Sequence, residues 1–241
     1  MVAAKGSRYA GLIGAVAVAL LLAACGSAPG GGKAAQGGTA PAGTVGGLTT
    51  TSLKGWTPVA GSGGVGPVID TTTGDPKPPS LEVPGDKSYL WADTKKALKS
   101  VSFDANTQGL FDFVFGANAS GKGFMFRIDT RGGTNYSGFG ETEDWADWDC
   151  PQSGSTDIPA STWVHVSLAF TSNDVKATVT WPGSNETFDF NGQTDGCNTM
   201  SDGTTLDTNL SAYKPVGTAI GFQGDGLGAT SYSWIANLKY S

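Results

Sequence analysis

From Pro67 to its end the chain alternates apolar and polar residues with a period of two. Phe111, Phe113 and Phe115 fall on one side, with Asp112 opposite. Phe124, Phe126 and Ile128 alternate with Met125, Arg127 and Asp129, and Val164, Val166, Leu168 and Phe170 with Trp163, His165, Ser167 and Ala169. The same beat runs through Val175, Ala177, Val179 and Trp181, and through Tyr232, Trp234, Ala236, Leu238 and Tyr240. Successive side chains on a strand point to opposite faces, so each run predicts a strand with one buried face. Shorter strands are expected around Val101 to Phe103, Phe188 to Phe190 and Ala219 to Phe222. Turn formers separate the runs, as in Asn118-Ala-Ser-Gly-Lys-Gly and Thr171-Ser-Asn-Asp. No helical spacing stands out; Asp93 to Lys99 is compatible with one helical turn. Many short strands with no helices between them predict an all-β chain, an antiparallel β-sandwich or barrel.

The N-terminal pattern is different. Lys5 and Arg8 precede an apolar run from Leu12 to Leu22, and small residues then lead to Cys25. A positive start, a short apolar middle and small residues at the end make a secretory signal. The run is too short for a membrane span of about 20 residues. Leu22-Ala-Ala-Cys25 resembles the lipobox of bacterial lipoproteins. That resemblance implies cleavage before Cys25, lipidation of its thiol by diacylation, and a protein anchored on the extracytoplasmic face of the cell membrane. The expected organisation is a signal peptide (1–24), the lipidated cysteine with a flexible linker (25–66), and a sandwich domain (67–241).

The linker follows from composition. Fourteen of the 41 residues 26–66 are glycine, and the only charges are Lys33 and Lys54. Such a segment buries too little apolar area to offset its ordering entropy. As a Gly-rich coil of about 40 residues it spans roughly 35 Å. Trp56 and Val59 offer a weak docking point, not enough to bring the segment into the domain. Residues 67–88, rich in Pro and Thr, fit either the linker or the sandwich.

Charge narrows the partners. The full chain carries 15 basic and 21 acidic residues, net −6. Loss of Lys5 and Arg8 with the signal leaves 13 against 21, net −8. An acidic surface disfavours nucleic acid and anionic lipid. It is compatible with calcium or with neutral glycans. Once Cys25 is taken by lipid, Cys150 and Cys197 remain, and an exported chain with two cysteines favours one disulfide. Closing that loop of about 48 residues stabilises by roughly 4 kcal/mol in the chain-entropy picture. Two free thiols, or a metal pair, are the alternatives.

Ser161-Thr-Trp-Val-His-Val-Ser-Leu-Ala-Phe, a turn, and Val175-Lys-Ala-Thr-Val-Thr-Trp-Pro-Gly together resemble the central hairpin of concanavalin-like (laminin-G-like) jelly rolls. Ile235-Ala-Asn-Leu resembles the last strand of that family. The resemblance spans Tyr89 to Tyr240 loosely and implies a jelly-roll sandwich with a carbohydrate-binding or surface-recognition role. It also implies a structural calcium near the last strand, for which Asp225 and Asn237 are the candidate ligands.

The densest polar-aromatic stretch is Gly138-Phe-Gly-Glu-Thr-Glu-Asp-Trp-Ala-Asp-Trp-Asp-Cys150. A flat ring covers the apolar face of a pyranose, and carboxylates bind its hydroxyls. Tyr136, Glu143, Trp145, Asp147 and Trp148 are therefore the candidate ligand contacts. The competing reading has the tryptophans packing inward beside Cys150. Paired carboxylates also do glycoside hydrolysis, which makes Glu141, Glu143 and Asp147 the alternative catalytic set of a wall- or polysaccharide-active hydrolase or lyase. The acids do not match the Glu-x-Asp-x-(x)-Glu strand of concanavalin-like glycosidases, because Trp145 and Asp147 stand where that strand has acids. His165, the only histidine, alternates with the core face and lacks a Gly-x-Ser-x-Gly partner, so a hydrolase triad is not expected. A third reading is an envelope protein that recognises another protein.

Overall fold

Among the described residues, two antiparallel sheets built from thirteen strands face each other. In this computed structural model the described residues are 48–133, 136–145, 155, 157–191, 193, 210, 212–224, 228 and 230–241. The signal peptide, Cys25, Asp147, Trp148, Cys150, Cys197 and Asp225 lie outside them. The strands are β1 (Thr57–Val59), β2 (Val68–Asp70), β3 (Ser80–Pro84), β4 (Tyr89–Asp93), β5 (Ser100–Thr107), β6 (Leu110–Ala117) and β7 (Gly123–Asp129). They continue with β8 (Gly138–Thr142), β9 (Val164–Phe170), β10 (Val175–Trp181), β11 (Ser184–Asp189), β12 (Ala219–Gly224) and β13 (Tyr232–Tyr240). Sheet A has the order β1-β4-β12-β6-β7-β8, and sheet B the order β11-β10-β9-β5-β13-β3-β2. The chain passes repeatedly from one sheet to the other, so that β12 and β13 return to the middle of sheets begun much earlier. This is a jelly-roll sandwich, and it defines the class of the domain.

The core lies between the sheets and is dominated by phenylalanine. Phe103 of sheet B touches Phe111, Phe113 and Phe222 of sheet A, with ring centroids 6.0, 5.2 and 5.3 Å apart. Each such aromatic contact contributes about 0.5–1.5 kcal/mol beyond area burial. The alternation of β9 and β10 follows the sequence pattern, with Val164, Val166, Leu168, Val175, Ala177 and Val179 inward.

Four features depart from the sequence reading. First, β6 and β7 are buried along both faces, not one. On the outer face of sheet A, Val114, Ala117, Met125, Trp145 and Ala219 form a second small core, flanked by the half-buried Tyr89 and Trp91. Second, Asp112 and Arg127, placed on the solvent side by periodicity, are 0% and 2% exposed and form a bidentate pair at 2.8 and 2.7 Å. They stand directly opposite each other across β6 and β7, so the charged heads meet instead of reaching water.

Third, the sandwich starts earlier than Pro67. Strand β1 pairs with β4, and Trp56 is 6% exposed, with its ring 5.6 Å from Phe222 and its indole N–H on the Thr49 carbonyl at 3.0 Å. The last part of the segment read as linker, from Leu48 onward, thus belongs to the domain. One buried indole and three ladder residues offset the entropy of an otherwise Gly-rich stretch. Residues 67–88 join sheet B through β2 and β3. Fourth, the helical turn expected over Asp93 to Lys99 is absent: residues 94–99 are bends and irregular chain, with Lys95 at φ +62°, and no helix occurs among the described residues.

Candidate functional site

The site is built where the β6–β7 turn meets the end of β8. Asn118 organises that turn: its side-chain oxygen accepts from the backbone N–H of Ser120 and Lys122, at 2.9 and 3.2 Å. Gly121 sits at φ +97°, and a Cβ there would stand 2.2 Å from the Trp145 nitrogen. Only glycine allows so close an approach in that conformation. After β8, Thr142 Oγ1 donates to the Asp144 carbonyl at 2.5 Å and turns the chain back over sheet A. The period-two pattern of the acidic stretch therefore stops at Thr142.

Trp145 is carried inward by this turn and is 4% exposed. Its indole N–H donates to the Ala119 carbonyl at 3.1 Å. Its ring lies over Gly221, where a Cβ would meet Cζ3 at 2.5 Å. Its plane is stacked on Trp91 at 5.6 Å and on Tyr89 at 6.2 Å. Thr57, Trp91, Gly221, Val114, Met125 and Gly140 form one cross-strand row beneath it. Trp145 thus takes the inward alternative weighed from sequence, and the rings that keep partial access to solvent are Tyr89 and Trp91. Burial, and secondarily the charge of Asp144, pushes the Tyr89 phenol up from its usual value, so it stays protonated and able to donate at neutral pH.

Glu143 is bound through both oxygens by Lys122, each at 2.9 Å. Glu141 pairs in register with Phe124. Both carboxylates line a groove of about 310 Å³, together with Lys122 and Lys214. Tyr136 is half-buried, just ahead of β8. Asp147 and Trp148 lie outside the described residues, so this stretch is seen only as far as Trp145.

The proposed calcium ligand Asn237 has a different occupation. It sits in the left-handed region, at φ +55°, within the irregularity of β13, a conformation asparagine tolerates well. Its side-chain N–H groups donate to Asp104 Oδ2 at 2.5 Å and to the Asp75 carbonyl at 2.8 Å. Asp104 also bonds His165 Nδ1 at 2.6 Å. Asp225 lies outside the described residues. Among the described residues no three His, Cys, Asp or Glu side chains come together as a metal site.

Tyr89, Trp91 and Lys122 were missed from sequence. Tyr89-Leu-Trp91-Ala carries a short period-two signal that places both rings on one face, but four residues are too few to mark a strand without its partners.

No family model and no curated protein sequence matches the chain. Fifty-four solved chains do match in structure. A carbohydrate-binding module from Bacillus subtilis is 13% identical over 78% of this chain and 95% of its own, with a TM-score of 0.46. A winged bean acidic lectin, solved with methyl-α-D-galactose, is 12% identical over 77% and 94%, TM-score 0.38. A homodimeric agglutinin from chicken liver is 14% identical over 64% and 99%, TM-score 0.38.

Proposed function

We propose that the chain is a carbohydrate-recognition module displayed outside the cytoplasm. The observation that carries this reading is the half-exposed Tyr89 and Trp91 pair, backed by the buried Trp145. Backing matters because a ring already fixed by packing loses little freedom when a ligand arrives. A sugar laid on Trp91 covers the ring with its apolar face. The Tyr89 hydroxyl and Asp144 then stand at its border as donor and acceptor for hydroxyl groups.

A glycan array probed with the full chain and with Trp91→Ala tests the reading. Saturable binding in the parent and its loss in the folded variant support it. Equal binding by both removes Trp91 from the site, and no binding by the parent to any glycan defeats the proposal.

The anchoring rests on Leu22-Ala-Ala-Cys25 alone. Lipid on Cys25 holds the module to a membrane, and the Gly-rich segment up to residue 47 serves as its tether. Labelled fatty acid incorporated by the parent, and not by Cys25→Ala, is the expected result. Cys150 and Cys197 form a disulfide in the exported protein, which predicts no titratable thiol in the denatured, unreduced, lipidated chain.

A further inference from the structure

The outer face of sheet B carries an indole held by two carboxylates. Leu81, Val83, Ala105 and Ile235 belong to the core, so alternation turns Ser80, Glu82 and Trp234 outward. Register aligns Val68, Glu82 and Trp234 in one row across β2, β3 and β13, and sets Asp70 directly opposite Ser80. The Trp234 indole N–H donates to Glu82 Oε2 and to Asp70 Oδ2, each at 3.0 Å. Asp70 belongs to the strand beyond β3, so the indole reaches across the sheet instead of standing off it. Trp234 and Tyr232, with ring centroids 6.1 Å apart, are both half-buried.

Three observations select the occupant. The first is unbalanced charge: two carboxylates share one neutral N–H, and neither is ion-paired with a Lys, Arg or His among the described residues. Burial pushes the Glu82 carboxyl up from its usual value, against the indole hydrogen bond, and the charge of Asp70 adds to the rise. The second is an orphaned hydroxyl. Ser80 is 0% exposed and its Oγ has no hydrogen-bond partner; it lies across from Asp70 and two residues from Glu82, on the side that both carboxylates face. The third is the indole itself, fixed at its N–H and lying along the sheet. A ring so placed covers the apolar face of a pyranose, and it does not project as an anchor into a protein pocket.

A protonated amine answers the first two observations. It brings the missing charge and three donors for Asp70, Glu82 and the Ser80 hydroxyl, and an aromatic face attracts it. Calcium is a poorer match: it takes about six to eight oxygen ligands, and no three His, Cys, Asp or Glu side chains come together among the described residues. We propose that Asp70, Ser80, Glu82 and Trp234 form a second binding site, which takes the protonated amine of a de-N-acetylated amino sugar with its pyranose ring against Trp234. This rests on the carbohydrate-recognition reading of the Tyr89–Trp91 patch but uses separate residues on the other sheet. A cationic glycan also suits a chain of net charge −6.

Calorimetric titration of the full chain with a β-1,4-linked glucosamine hexamer tests this, against the fully N-acetylated hexamer and hexalysine. Glu82→Gln and Asp70→Asn each keep an acceptor for the Trp234 N–H while removing one charge, and thermal melts confirm that they fold. The parent is expected to bind the glucosamine hexamer about tenfold more tightly than the acetylated one, the scale of one hydrogen bond to a charged group. Both charge-removing variants should lose that preference, and Trp91→Ala should keep it. A preference retained in Glu82→Gln and Asp70→Asn, or absent from the parent, overturns the site. Hexalysine bound as tightly as the glucosamine hexamer, and released by Glu82→Gln, assigns the carboxylates to a basic peptide and overturns the glycan occupant. In each of these cases the glycan array with Trp91→Ala decides the recognition reading by itself.

Discussion

Trp145 is stacked on Trp91 with ring centroids 5.6 Å apart and planes 20° from parallel. The buried ring thereby sets the position of the more exposed one. The same ring lies so close to sheet A that residue 221 has no room for a side chain. Gly221→Ala would place a Cβ 2.5 Å from Cζ3 of Trp145 and 2.8 Å from the Leu90 carbonyl oxygen. Overpacking of this kind costs about 1–3 kcal/mol. A urea titration is expected to show that loss, with altered tryptophan fluorescence. Unchanged stability and emission would mean that Trp145 does not sit over Gly221.

Trp56 makes a claim about where the domain begins. Its ring is buried against Phe222, and β1 supplies the edge of sheet A. Trp56→Ala is expected to destabilise by about 3 kcal/mol, the lower end for a buried tryptophan. A chain starting at Pro67 should melt several degrees below one starting at Leu48. Identical melting temperatures would return residues 48–66 to the linker.

The Asp112–Arg127 pair is expected to respond asymmetrically. Asp112→Asn removes the buried carboxylate that binds the Arg127 guanidinium through both oxygens and should cost about 3–5 kcal/mol. Asp112→Leu combined with Arg127→Met removes both charges and should cost clearly less than the single change. The comparison is made by chemical denaturation, and a double variant as unstable as Asp112→Asn would contradict the assignment.

Alkaline stability should report Tyr213. Burial pushes its phenol up to about 12, whereas an unfolded tyrosine ionises near about 10. The folded state therefore holds this proton more tightly. Its contribution is complete below about pH 10 and is lost as pH rises through about 12. Tyr213→Phe should flatten the fall in melting temperature across that window. An unchanged slope would show that Tyr213 ionises as freely in the folded protein as in the unfolded chain.

The sequence by itself determined the strands that carry their own signal. In β5, β6, β7, β9, β10 and β13 the alternation of side chains is a property of the extended backbone, so it is written locally. Their number and the turn residues between them point to an antiparallel sandwich or barrel without reference to any partner. The acidic aromatic stretch was also visible as a chemical concentration.

Tertiary structure alone decided which faces are covered. Periodicity separates two sides of a strand but does not say that both are buried. Asp112 and Arg127 read as solvent positions until register set them face to face. The short strands β1 to β4 are defined by distant partners: Trp91 aligns with Gly221, and Pro84 with Tyr232. No local window holds those pairs. The sequence leaves Trp145 between ligand contact and inward packing, and the turn closed by Thr142 with the room left at Gly121 and Gly221 draws it inward. Burial depends on what arrives from elsewhere in the chain, which is why Tyr89 and Trp91, and not Trp145, keep partial access to solvent in this patch.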